Sequence, residues 1–94
     1  MPLVNLKLGG TNVSDLSNLD VSKLLALNIS KTKIRDLGPL QSNETLESLN
    51  LNDTSISDIS PLNNTSLETL YLNNTKVTDL TPLAQLPLRE LSLN

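Results

Sequence analysis

Side chains that exchange protons, hold metals or attack carbonyls are the first residues to look for. This 94-residue chain holds a short stock of them: Asp, Glu, Ser, Thr, Lys and Arg, with no Cys and no His. Without thiol or imidazole there is no disulfide, no thiolate or imidazole metal site, and no nucleophile–histidine pair. Four aspartates recur at Asp15, Asp36, Asp58 and Asp79. Hard carboxylate oxygens in a column suit calcium, but one carboxylate per unit is sparse for the ~6–8 ligands that ion takes. The plainer reading is that each carboxylate accepts hydrogen bonds from amides of its own turn. Lys31, Lys33 and Arg35 make a basic spot beside Asp36, in a chain of net charge −3, and read as a solvated face rather than an anion site. Asn-x-Ser/Thr triplets, at 12–14, 28–30 and 63–65 among others, follow from a composition rich in those residues.

No sharp nucleophile turn, Gly-rich phosphate loop or metal cluster can be drawn from the sequence, so it reads as neither an enzyme nor a holder of cofactors. Its negative balance argues against nucleic acid or an anionic membrane as partner. No apolar run approaches the ~18 residues of a membrane span, and no basic–apolar leader opens the chain. The compartment stays open, with the cytoplasm as the default.

What would position these side chains is a repeat. About a quarter of the residues are Leu, Phe and Trp are absent, and Tyr71 is the one aromatic. A core made of one medium-sized aliphatic suggests one packing layer used again and again. The template Leu-x-x-Leu-x-Leu/Ile-x-x-Thr-x-Val/Ile fits Leu3-Leu6-Leu8-Thr11-Val13 and Leu24-Leu27-Ile29-Thr32-Ile34. It fits again at Leu46-Leu49-Leu51-Thr54-Ile56 and Leu67-Leu70-Leu72-Thr75-Val77, and a partial fifth copy starts at Leu88-Leu91-Leu93. Starts at 3, 24, 46, 67 and 88 give steps of 21, 22, 21 and 21 residues, one domain over 1–94 without recognisable caps.

These motifs resemble the leucine-rich repeat family, whose units carry L-x-x-L-x-L-x-x-N-x-L. The second halves, Asp36-Leu37-Gly38-Pro39-Leu40, Asp58-Ile59-Ser60-Pro61-Leu62 and Asp79-Leu80-Thr81-Pro82-Leu83, are similar to the short bacterial repeats of internalins. The resemblance implies an α/β-type leucine-rich repeat solenoid: a curved parallel sheet on the concave side and short 3-10 turns or loops on the convex side. One departure is systematic, since the family's usual Asn is Thr at 11, 32, 54 and 75.

Elementary geometry agrees with this. The last two Leu of each motif stand two residues apart and share a strand face. One unit cannot bury that face alone, whereas stacked units make a continuous core. Parallel strands are expected at 5–8, 26–29, 48–51, 69–72 and 90–93. Thr32, Thr54 and Thr75 are expected to be buried, with hydroxyls offered to turn amides or other backbone groups of their own or the next unit, a bond that would repeat along the solenoid. Ser60-Pro61 and Thr81-Pro82 read as a cap followed by the first residue of a 3-10 turn. Gly38-Pro39 and Ser17-Asn18 predict less regular turns in the first two units. Leu16, Leu37, Ile59 and Leu80 should face inward, as should Leu19, Leu40, Leu62 and Leu83. Leu86 has polar counterparts in earlier units, and the extra residue of the second unit falls in 41–45, placed in an exposed loop.

The open strand positions would form the concave face, the surface that the family commonly uses for partners. It runs from apolar (Val4, Leu25, Ala26) to acidic (Glu47, Glu68). A protein partner would meet Asn28, Glu47, Asn50, Glu68 and Tyr71. The alternative is a structural or engineered self-assembling unit without a natural ligand. The chain starts in one strand motif and stops inside another, which suggests a piece of something longer or designed. Bare sheet edges carrying Leu3, Leu6, Leu8, Leu88, Leu91 and Leu93 would then favour a homo-oligomer.

Overall fold

The computed structural model describes residues 5–16, 23–43, 45–84 and 86–92. Five three-residue strands lie in them: β1 (Asn5–Lys7), β2 (Ala26–Asn28), β3 (Ser48–Asn50), β4 (Thr69–Tyr71) and β5 (Glu90–Ser92). They form one sheet in sequence order, every pair parallel. The first four strands each stop one residue short of the expectation, because the chain starts to turn there, while Leu93 after β5 lies outside the described residues. The residue that follows still donates to the next unit: Leu8 N–H to the Asn28 carbonyl (2.7 Å), Ile29 to Asn50 (3.0 Å) and Leu51 to Tyr71 (2.9 Å).

Among the described residues three turns carry the convex side: 3-10 helices at Gly38–Ser42, Ser60–Asn64 and Thr81–Leu83. The Gly-Pro turn of the second unit is as long as the Ser-Pro turn of the third, against expectation. In both, Pro fixes φ within the first two helical positions, and that outweighs the freedom of Gly38. The capping expectation also shifts by one residue. Leu37, Ile59 and Leu80 occupy the cap position without a side-chain bond, while the Asp before each does the capping work. Asp36 Oδ1 accepts from Gly38 N–H (2.8 Å), Asp58 from Ser60 (2.9 Å) and Asp79 from Thr81 (3.0 Å). Charge-assisted bonds of this kind hold the carboxyls of Asp58 and Asp79 below their ordinary range, the backbone amide contributing most.

Leu24, Leu27, Ile29, Ile34, Leu37 and Leu40 from the second unit, with Leu46, Leu49, Leu51, Ile56, Ile59 and Leu62 from the third, make the heart of the core. Leu16, Leu67, Leu70, Leu72 and Leu83 complete it. Leu80 does not turn inward as expected: it is 37% exposed, having a neighbouring unit on one side only. Leu19 and the Ser17-Asn18 turn lie outside the described residues.

The threonine column follows its reading in part: the hydroxyls of Thr11 and Thr32 accept from the amides of Val13 and Ile34 (3.5 and 3.4 Å), while burial varies along the column. Thr32 and Thr54 are buried, Thr75 is half-buried and Thr11 exposed. Their hydroxyls donate within their own unit, to the carbonyls of Leu8, Ile29, Leu51 and Leu72 at 2.7–2.9 Å. Bonds along the solenoid come instead from the backbone of the turn. Gly10 N–H reaches the Ser30 carbonyl, Lys31 reaches Asn52 and Asp53 reaches Asn73, at 2.8–3.0 Å. That aim requires positive φ, found at Gly10 (75°), Lys31 (57°), Asp53 (59°) and Asn74 (58°), one residue per unit in the same column. Asn and Asp tolerate this region better than Lys does, and Asn74 Nδ2 bonds Asp53 Oδ1 (2.8 Å) across units.

The segment 41–45 is not simply an exposed loop. Asn43 is fully buried, its amide donating to the Leu24 carbonyl (3.3 Å) while its oxygen accepts from the Thr45 and Leu46 amides (2.6 and 2.8 Å). It stands where Thr65 and Leu86 stand in the later units. Among the described residues no buried side-chain nitrogen or oxygen lacks a partner, and no helix is long and apolar enough to cross a membrane.

Candidate functional site: the concave sheet face

Alternation within each three-residue strand sends Leu27, Leu49 and Leu70 into the core and their flanking residues to the concave side. Register then builds rows across the sheet. One row reads Lys7, Asn28, Asn50, Tyr71, Ser92, and another reads Asn5, Ala26, Ser48, Thr69, Glu90. Around an open hollow of about 220 Å³ stand Asn5, Lys7, Ala26, Asn28, Ser48, Asn50 and Tyr71.

Asn28, Asn50 and Ser92 of the first row are held by bonds to the turns behind them, and Tyr71 by a bond to the next strand. Asn28 Oδ1 accepts from Ser30 N–H (3.0 Å) and Ser30 Oγ (2.8 Å), so the Asn-Ile-Ser triplet is occupied structurally. Asn50 Oδ1 accepts from Asn52 N–H (3.0 Å). Asn52 Oδ1 in turn takes Asn73 N–H (2.8 Å), and Ser92 Oγ donates to Asn73 Oδ1 (2.9 Å). Tyr71 donates its hydroxyl to Glu90 Oε2 at 2.5 Å. That bond raises the phenol above its ordinary value, because losing the proton would break it and set two negative charges together.

Of the residues singled out in the sequence, Asn28, Asn50 and Tyr71 come together around the hollow. Glu47 and Glu68 sit at the strand starts on the same sheet but do not line it. Glu68 lies 3.5 Å from the Arg89 guanidinium, an exposed pair of the kind contributing at most ~1 kcal/mol. Lys7, Ser48 and Asn5, open strand positions outside the expected contact centre, also line the hollow, because register places them in the rows of Asn28 and Ala26. On the edge strands Leu6, Leu8 and Leu88 are half-buried and Leu91 is exposed, while Leu3 and Leu93 lie outside the described residues. Lys31, Lys33 and Arg35 are all exposed. Among the described residues no three acidic side chains converge as a metal site would require.

Set beside known proteins, the chain has clear counterparts. The family model for Leucine Rich repeats (2 copies) matches residues 44–85. Among solved structures, an internalin (inlF) of Listeria monocytogenes is similar at 31% identity with a TM-score of 0.88, the match covering 94% of this chain and 27% of that one. Internalin C2 of the same organism is similar at 25% identity and a TM-score of 0.77, covering 97% of this chain and 51% of that one. The chain thus spans about a quarter and about half of these two proteins. No curated protein matches it by sequence. Five parallel strands, 3-10 turns at a 21–22-residue step and these likenesses give this chain a leucine-rich repeat fold with short repeats similar to those of internalins.

Proposed function

We propose that the chain is a non-catalytic scaffold that binds another protein on its concave sheet face. Asn28, Asn50 and Tyr71 form the contact centre, with Glu47 and Glu68 beside it. The observation that carries this reading is the hollow itself. Three outward side chains from three consecutive strands border one open concavity, and two of them are braced by turn bonds. Bracing reduces the rotamer entropy lost when a partner docks. Tyr71 adds an aromatic of the type that dominates binding energy at interfaces.

Selection of a displayed peptide library on the chain tests this. Binders are expected to be lost on Tyr71→Ser and Asn50→Arg and kept on the convex variant Gln41→Arg. Binders indifferent to both concave variants would refute the reading.

A second reading, self-association into a structural unit without a ligand, is favoured by one observation. Leu80 in the fourth unit and Leu91 in the fifth are 37% and 40% exposed, apolar surface that a second copy could cover. Like edges meeting about a two-fold axis would give a closed dimer. Light scattering over a concentration series is then expected to show a dimer that Leu91→Glu disperses; a monomer throughout would contradict it.

A further inference from the structure

We propose that the row Lys7, Asn28, Asn50 is a carboxylate-binding subsite, fitted to an Asp or Glu side chain on an extended segment of a partner protein. This rests on the concave-face reading and specifies the partner's chemistry. An Asn side chain has one acceptor oxygen and one two-proton amino group. The groups facing Asn28 Oδ1 are an N–H and a hydroxyl of Ser30, and the group facing Asn50 Oδ1 is the Asn52 N–H. Backbone amides only donate, so the oxygen of each side chain must face them. Each amino group therefore lies on the side away from its own turn's amide, and it makes no hydrogen bond among the described residues. Gly9 leaves room for this arrangement: a Cβ there would stand 3.0 Å from Ser30 Oγ and 3.3 Å from Asn28 Oδ1.

Register sets Lys7, Asn28 and Asn50 on consecutive strands, about 4.8 Å apart. The row thus offers an ammonium and two oriented amides, donors only. The carboxylates of this face lie elsewhere: Glu47 and Glu68 at the strand starts, and Glu90 engaged by Tyr71. A neutral carbonyl would leave the ammonium without a counter-charge, and a cation on this row would be repelled by the ammonium and face the two amino groups. A carboxylate satisfies both demands, with the charge-assisted bonds that are the stronger kind. The span from Lys7 to Tyr71 is three strand spacings, about 14 Å, or about four residues of extended chain. Such a segment would set its carboxylate between Lys7 and Asn28, a backbone carbonyl at Asn50 and its next residue on the Tyr71 ring. One positive charge on a chain of net −3 gives weak, salt-sensitive binding, with a Kd on the order of 1 mM.

The test uses three capped tetrapeptides that differ in one residue, Glu, Gln or Lys. Each is titrated into the 15N-labelled chain while the side-chain amide signals of Asn28 and Asn50 are followed. The Glu peptide is expected to shift both signals to saturation, with the Gln peptide at least about tenfold weaker and the Lys peptide inactive. Asn28→Asp keeps the acceptor for Ser30, so the backbone spectrum should persist while the Glu response is lost. Lys7→Gln should weaken it without touching the turn. Equal response to Glu and Gln, preference for Lys, insensitivity to Asn28→Asp, or no shift with any peptide would overturn the subsite. A response shared by all three peptides would do so while leaving the concave-face reading intact. That reading falls instead if library binders ignore Tyr71 and Asn50.

Discussion

Leu49 in the third repeat and Leu91 in the fifth hold the same motif position, each at the middle of a strand of one parallel sheet. Leu49 is 0% exposed and Leu91 40%. The contrast recurs on the convex side, where Ile59 is 1% exposed and Leu80, its counterpart, 37%. It recurs in the turn column, with Thr54 buried and Thr11 in solvent although both hydroxyls bond the carbonyl three residues back. The local bond is the same and the burial is not. Burial in this chain is therefore supplied by the neighbouring unit and not by the motif, the behaviour of a one-dimensional stack.

The largest effect should separate the two leucines. Leu49→Ala should lower the unfolding free energy by about 2–5 kcal/mol, lost transfer energy plus a cavity, and Leu91→Ala by less than half as much. Equal losses in urea titrations would break the comparison. Asn43 comes next, since it ties the Leu24 carbonyl to the Thr45 and Leu46 amides in the most buried part of the chain. Asn43→Ala should cost about 1–3 kcal/mol by leaving those groups unpaired. A loss no larger than that of the exposed Asn12→Ala would show that the bonds are dispensable. Thr54→Val should cost a comparable or smaller amount, about 1–3 kcal/mol, by stripping the Leu51 carbonyl of its donor. Thr11→Val in solvent should stay within about 0.5 kcal/mol.

The smallest effect is acidic. Asp58 and Asp79 titrate below the ordinary value of 3.8 in the folded chain. Their contribution is complete above that value and is lost as pH falls through the lowered ones. The thermal midpoint should fall on acidification below about pH 4, and Asp58→Asn with Asp79→Asn should flatten that slope. An unchanged slope would mean the turn bonds carry no linkage.

The fold was legible because Leu spacing repeats in phase, and a register error would have sent Leu27, Leu49 and Leu70 to the wrong face. Asn28, Asn50 and Tyr71 were legible for the same reason, being the positions just after inward leucines. Asn43 was not: its counterparts in the later units are Thr65 and Leu86, so no shared residue type marks the position. The exposure of Leu80 escaped the motif because it depends on what stacks next to it. The column of positive φ did leave a trace, in Gly10, Asp53 and Asn74 at one repeat position, but Lys31 obscured it. For Thr the sequence left its own or the next unit open, and its own unit is where the hydroxyl bonds, since a hydroxyl three residues past a strand end meets its own carbonyl first.

Native-state hydrogen exchange tests the dependence on neighbours most directly. The amides of Leu8, Leu51 and Leu72 make equivalent bonds to the next strand, at 2.7, 2.9 and 2.8 Å, so bond length does not favour the central one. The account predicts that Leu51 exchanges slowest, near the rate set by global unfolding, and that Leu8 and Leu72 exchange at least about tenfold faster through local opening of the outer units. Equal protection at all three, or slower exchange at Leu8 than at Leu51, would contradict it.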